Sequence, residues 1–116
     1  MTTVQDLQKQ FHCCMPLFIA LGDKVRLSIV ELLTEAAVRS EDPRGTIDFE
    51  GCAMNVNEIT RRTSLSRPAI SHHLKILKDA GLVGVRQDGT ANYYYLTLRD
   101  STRSLMELGY RLEEFM

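Results

Sequence analysis

LSRPAISHHLKILKDAGLV, residues 65–83, places a proline, two adjacent histidines, three basic residues and a regular apolar row within nineteen positions. On a helix advancing about 100° per residue, Ile70, Leu74 and Leu77 centre on one face, with His73, Ile76 and Ala80 beside them. Arg67, Ser71, His72, Lys75, Lys78 and Asp79 collect on the opposite arc. The spacing predicts a helix that joins the core on one side and offers basic and hydrogen-bonding groups on the other. Ser66 is a natural N-cap, and Pro68 is tolerated in the first turn, where its missing donor has no helical partner. Gly81 closes the helix.

The two histidines point in different directions. His73 lies at the edge of the apolar face and reads as a hydrogen-bonded, half-buried structural residue, whereas His72 belongs with the exposed basic residues. A two-histidine metal site needs partners that converge on one helical face, and adjacent positions do not.

Working outward, NEITRRT reads as a short helix capped by Asn57 or Asn55, and SLS supplies the turn into the next helix. Two helices in that relation form a helix-turn-helix, whose second member enters the major groove of double-stranded DNA. The short side chains near its N-terminus, Ser66 among them, permit close approach to base edges. Arg67 can donate to guanine, and Ser71 and His72 can bond bases or phosphates. Lys75, Lys78, Arg61 and Arg62 are better placed for phosphates, which adds affinity and salt dependence but little sequence choice. Downstream, LVGVRQ, DG and TANYYYLTL read as a β-hairpin turning at Asp-Gly, a wing with Arg86 and Gln87 near its tip, facing the DNA backbone or minor groove.

The remaining segments frame this unit. Val4, Leu7, Phe11, Cys14 and Phe18 form one helical stripe, which Pro16 is expected to break or kink. Asp23 can cap DKVRLSIVELLTEA, whose apolar residues Val25, Leu27, Ile29, Val30, Leu32 and Leu33 are spread almost around the helix, predicting a central, largely buried element. AVRSEDPRGTIDFEGCAMN reads as a loop, with TIDF a candidate short strand. In DSTRSLMELGYRLEEFM, Leu105, Leu108, Leu112 and Phe115 recur at helical spacing behind a cap at Asp100 or Ser101. The fold class expected is mainly α with a small β-hairpin wing.

Composition bounds the function. The chain has 116 residues, 44% hydrophobic and 25% charged, as for one small globular domain. No stretch reaches the roughly 18 uncharged apolar residues of a membrane span, and the N-terminus lacks a basic region followed by an apolar run, so a soluble cytoplasmic protein with reduced thiols is expected. The net charge of −1 hides a split: residues 31–58 carry seven acids against two bases, and residues 61–86 carry six bases against Asp79 alone. That basic run is the footprint of a polyanion binder once it lies on suitable helices. An enzyme is disfavoured because no nucleophile–base–acid arrangement or Gly-rich phosphate loop is present. A winged helix that binds protein, not nucleic acid, is the other alternative.

The segment from Asn55 to Leu98 resembles the winged helix of the ArsR/SmtB family of bacterial repressors, and LGDKVRLSIVELL resembles that family's LxDxxRxxILxLL helix. The likeness covers nearly all the chain and is thinnest over the first fifteen residues and residues 38–53. The resemblance implies a single winged helix-turn-helix domain over residues 1–116, acting as a homodimeric repressor released from an inverted-repeat operator by an inducer. It assigns 1–21 and 100–116 to dimerisation, 55–98 to DNA binding and 38–54 to a loop insertion. The apolar positions Val4, Leu7, Phe11, Leu105, Leu108, Leu112 and Phe115 would form the dimer interface, since neither terminal helix has an obvious partner within so short a chain.

The family's thiolate metal site is a C-x-C within an ELCVCDL-like string; here the matching string is MNVNEI, with amides at Asn55 and Asn57, which are poor ligands for soft metals. The family's second site uses Asp, His and Glu on the last helix, and residues 100–116 contain no histidine. Cys13, Cys14 and Cys52 remain, either as small buried hydrophobes, as a cross-dimer thiolate site for a thiophilic metal or metalloid ion or a redox pair, or as a single reactive thiol. The loop from Val38 to Ala53 is either a solvated insertion or a place for a small ligand or partner.

Overall fold

The computed structural model describes residues 1–39 and 43–116. Among the described residues, five helices and three strands follow in the order α1 (Val4–Leu21), α2 (Lys24–Arg39), β1 (Met54–Asn55), α3 (Val56–Arg61), α4 (Arg67–Asp79), β2 (Val83–Asp88), β3 (Ala91–Leu96) and α5 (Leu98–Glu113). The strands form one antiparallel sheet in the order β1-β3-β2. The chain is therefore mostly helical with a small sheet, as its periodicities predict, and β1 is an addition to the expected hairpin.

Helix α1 begins in a capping box: the Thr3 hydroxyl accepts from the Asp6 N–H, and the Asp6 carboxylate accepts from the Thr3 N–H. The expected break at Pro16 does not occur, and the helix runs through it. Pro16 and His12, whose carbonyl loses its helical donor, are both exposed, so water can satisfy that carbonyl. Cys14, Leu17 and Ala20 are buried on either side and hold the two halves in line. In α2 the Asp23 carboxylate accepts from the N–H groups of Val25 and Arg26. The Arg26 N–H, more than Val25's, holds that carboxyl below its usual 3.8. Helix α2 buries Ile29, Leu33 and Ala37, but Leu27 is exposed, so it is amphipathic and not largely buried as its composition suggested.

The core is built from Leu17 and Ala20 of α1, Ile29 and Leu33 of α2, Ile59 of α3, Ile70, Leu74 and Leu77 of α4, and Leu82, Val83 and Leu96 around the sheet. Full burial of each such side chain contributes about 1.5–3 kcal/mol relative to exposure, so three large residues from one helix make α4 the member most firmly tied to the core.

The terminal helices do have partners within the chain, contrary to expectation: they pack antiparallel against each other. The Thr2 N–H donates to Glu114 Oε2 at 2.9 Å, and Gln10 Nε2 donates to the Ser104 carbonyl at 2.8 Å. The thiol of Cys14 donates to the same carbonyl at 3.3 Å. Neither Asp100 nor Ser101 caps α5, which starts at Leu98; Ser101 is buried, and its hydroxyl donates back to the Leu98 carbonyl.

Between α2 and β1, TIDF is not a strand. The Asp48 carboxylate accepts from the Gly51 N–H and the Asp48 carbonyl from the Cys52 N–H, so the chain turns there, and pairing begins only where Met54 faces Tyr94. Helix α2 also extends to Arg39, which shortens the expected 38–54 loop. Residues 40–42 of that loop, with the acidic pair Glu41 and Asp42, lie outside the described residues.

Candidate nucleic-acid interface

Each helix of the pair is fixed by its first residues. Asn55, not Asn57, caps α3, in a capping box with Glu58: the Glu58 N–H donates to Asn55 Oδ1 at 2.8 Å, and the Asn55 N–H donates to Glu58 Oε1 at 3.3 Å. Ser66 caps α4 by accepting from the Ala69 N–H, with Pro68 in the first turn. Gly81 ends the helix at φ +77°, a left-handed conformation that favours glycine.

Helix α4 separates its two faces as the wheel predicts. Ile70, Leu74 and Leu77 are buried, while Arg67, Ser71, His72, Lys75, Lys78 and Asp79 are exposed. His73 is half-buried, and its Nδ1 accepts from Arg26 Nη1 at 3.2 Å; the same guanidinium donates to the Ala20 carbonyl at 2.7 Å. Arg26 thus pins α4 to the C-terminal end of α1. The imidazole of His72 stands 6.0 Å from that of His73, on the exposed side.

The charged groups divide by element. Arg61 and Arg62 at the end of α3, and Arg67, Lys75 and Lys78 on α4, form no ion pair among the described residues, whereas Arg39 meets Glu35 and Arg111 meets Glu107. Five unneutralised cations on two adjacent helices raise the local positive potential despite a net charge of −1.

The wing differs in detail from its sequence reading. Asp88 pairs with Ala91, so the two turn residues are Gly89 and Thr90 and not Asp88 and Gly89. Of these two, only Gly89 has positive φ, +64°, the pattern of a type II′ turn. Because side chains alternate along a strand, Arg86 and Gln87 point to opposite faces of the ribbon. Arg86 lies opposite Tyr93, and Gln87 opposite Asn92. Between the wing and the N-terminal turn of α4 lies a cleft of about 340 Å³, lined by Asn57, Arg67, Ser71, Thr90, Asn92 and Tyr94 among others. Sequence reading had Arg67 and Ser71 but missed Asn57, Thr90 and Asn92; Asn92 and Tyr94 lie two apart on β3 and so share a face, a signal that strand alternation carried.

The three thiols occupy two elements. Cys14 is buried in α1 and Cys13 is exposed beside it, while Cys52 is half-buried just before β1. Among the described residues, no three His, Cys, Asp or Glu side chains converge as a metal site would require.

The family model described as "Bacterial regulatory protein, arsR family" matches residues 50–85. An HTH-type transcriptional regulator of Methanocaldococcus jannaschii is 36% identical over 100 residues, covering 86% of this chain and 94% of its own length. The transcriptional repressor SdpR of Bacillus subtilis is 32% identical over 87 residues, covering 72% of this chain and 79% of its own. Among solved structures, the homodimeric winged helix-turn-helix DNA-binding domain Mb0332 of Mycobacterium bovis shares the fold, with a TM-score of 0.62 at 22% identity and coverage of 98% of this chain and 91% of that one.

Proposed function

The chain belongs to the ArsR family of transcriptional regulators, which are not enzymes, and we propose that it acts as a homodimeric repressor that reads an inverted-repeat DNA operator and leaves it when an inducer binds. The observation that carries the DNA-reading part is the exposed face of α4, where Arg67 and Ser71 open onto a polar cleft and the neighbouring cations lack acidic partners among the described residues. In this reading α4 lies in the major groove, with Ser66 at the point of closest approach and Arg67, Ser71 and His72 facing base edges. Arg61, Arg62, Lys75 and Lys78 bind flanking phosphates. Arg86 and Gln87 serve the wing from its two faces.

The dimer part rests on the apolar surface of the terminal helices. Val4, Phe11, Met15 and Phe18 form an exposed stripe along α1, and Leu105, Met106, Tyr110 and Phe115 are exposed on or just beyond α5. A run of exposed apolar residues on this scale marks an interaction surface. Leu108 is not available for it, being buried within the chain, and Leu7 and Leu112 are half-buried, consistent with these three joining α1 to α5. In this reading the exposed Val4, Phe11, Leu105 and Phe115 line the dimer interface. No helix among the described residues is long and apolar enough to cross a membrane.

Selection of bound duplexes from a randomised pool tests this reading. The expected result is an enriched sequence with two inverted half-sites whose centres lie about one or two helical turns, roughly 34 Å or its multiple, apart. Recovery of no enriched sequence contradicts the reader role, and a single asymmetric half-site contradicts the dimer.

A further inference from the structure

The wing, residues 83–96, contains one cation, Arg86, and one carboxylate, Asp88. Both project from the same face of β2, two positions apart, and Tyr93 projects beside them from the paired position on β3. Arg86 Nη1 lies 3.8 Å from Asp88 Oδ2, and the guanidinium carbon stands 5.1 Å from the centroid of the Tyr93 ring. The free wing is therefore electrically neutral and its arginine already has two partners. This differs from α3 and α4, whose five cations have no acidic partner among the described residues.

Resting on the DNA-binding reading above, we propose that Tyr93 is a positioning residue that holds Arg86 over the face of the wing, and that Asp88 occupies the guanidinium until a backbone phosphate of duplex DNA replaces it. The ring restricts where the long arginine side chain can go, so less freedom is lost when the phosphate binds. The ion pair is long, and the Asp88 side chain is 71% exposed, so it is weak and readily exchanged. A phosphate accepts the planar guanidinium through two oxygens and is the stronger partner. Asp88 thereby lowers the affinity of the wing for any polyanion, and its removal is expected to strengthen binding.

The experiment is a titration of a fluorescent duplex, chosen by the selection above, with the full chain and its variants, at several salt concentrations and with thermal melts to confirm folding. Asp88→Asn is expected to bind about two- to fivefold tighter. Arg86→Ala is expected to bind more weakly, with a salt slope shallower by about 0.9, and Asp88→Asn added to Arg86→Ala is expected to restore nothing. Tyr93→Phe, which keeps the ring, should match wild type, while Tyr93→Leu should lose several-fold in affinity with the salt slope retained. An unchanged or weaker Asp88→Asn, an equal gain in the Arg86→Ala background, or a Tyr93→Leu indistinguishable from wild type each overturns the proposal. A wild-type chain that binds no duplex overturns the DNA-binding reading as well; one that binds normally while Asp88→Asn gains nothing overturns only this inference.

Discussion

Leu74→Ala is expected to lose about 2–5 kcal/mol of stability. Leu74 is fully buried at the middle of α4, within a core that also holds Ile29, Ile59 and Leu77. Truncation removes its transfer energy and leaves a cavity that the packed elements around it close only in part. A small domain has only about 5–15 kcal/mol in total, so Leu74→Ala removes a large share of the stability and lowers the unfolding midpoint. Urea unfolding followed by circular dichroism reads this directly. His72→Ala, two positions earlier on the exposed arc, should stay within about 0.5 kcal/mol of wild type. Equal losses at both positions would contradict the division of α4 into a buried and a free face.

Arg67→Ala is expected to lose most of its affinity for the selected operator and little for random duplex. Arg67 lies in the first turn of α4, exposed, at the edge of the cleft shared with Ser71 and Asn92. A bidentate contact to guanine discriminates by about 1–3 kcal/mol, roughly a fivefold to more than hundredfold loss. Lys75→Ala, two turns further along, should instead weaken operator and random DNA alike and flatten the salt slope, as a phosphate contact does. Competition anisotropy with both duplexes separates the two outcomes. Arg67→Ala reducing both affinities by the same factor would assign that residue to the backbone.

The recognition unit was legible in the sequence because several independent signals coincide over residues 55–83. Caps at Asn55 and Ser66, the apolar row Ile70, Leu74 and Leu77, and Gly81 as terminator all specify the same two helices. The division between His73 and His72 followed from helical geometry alone, and the bond from Arg26 to His73 agrees with it.

Features that depend on tertiary context were less accessible. Pro16 is disfavoured in a helix by local rules, yet exposure of the affected carbonyl and burial of Cys14 and Leu17 on either side keep α1 continuous. The Asp-Gly pair suggested a turn, but the pairing of Asp88 with Ala91 moved it by one residue and changed each cross-strand partner by two positions, so that Gln87 lies opposite Asn92. The two terminal stripes looked unpartnered because periodicity identifies an apolar face without saying what covers it. Leu108 is covered by the chain itself, and Val4 and Phe11 are not.

The central claim is that α3 and α4 present unneutralised cations to the phosphates of duplex DNA while the N-terminal turn of α4 reads bases. Fluorescence anisotropy of the selected duplex and of a scrambled duplex, across a salt series, tests it most directly. The expected result is a steep linear fall of log K with log salt for both duplexes, at about 0.9 per phosphate contacted, with the selected duplex bound about a thousandfold or more tightly than the scrambled one. A flat salt response with equal, weak binding of the two duplexes would contradict it.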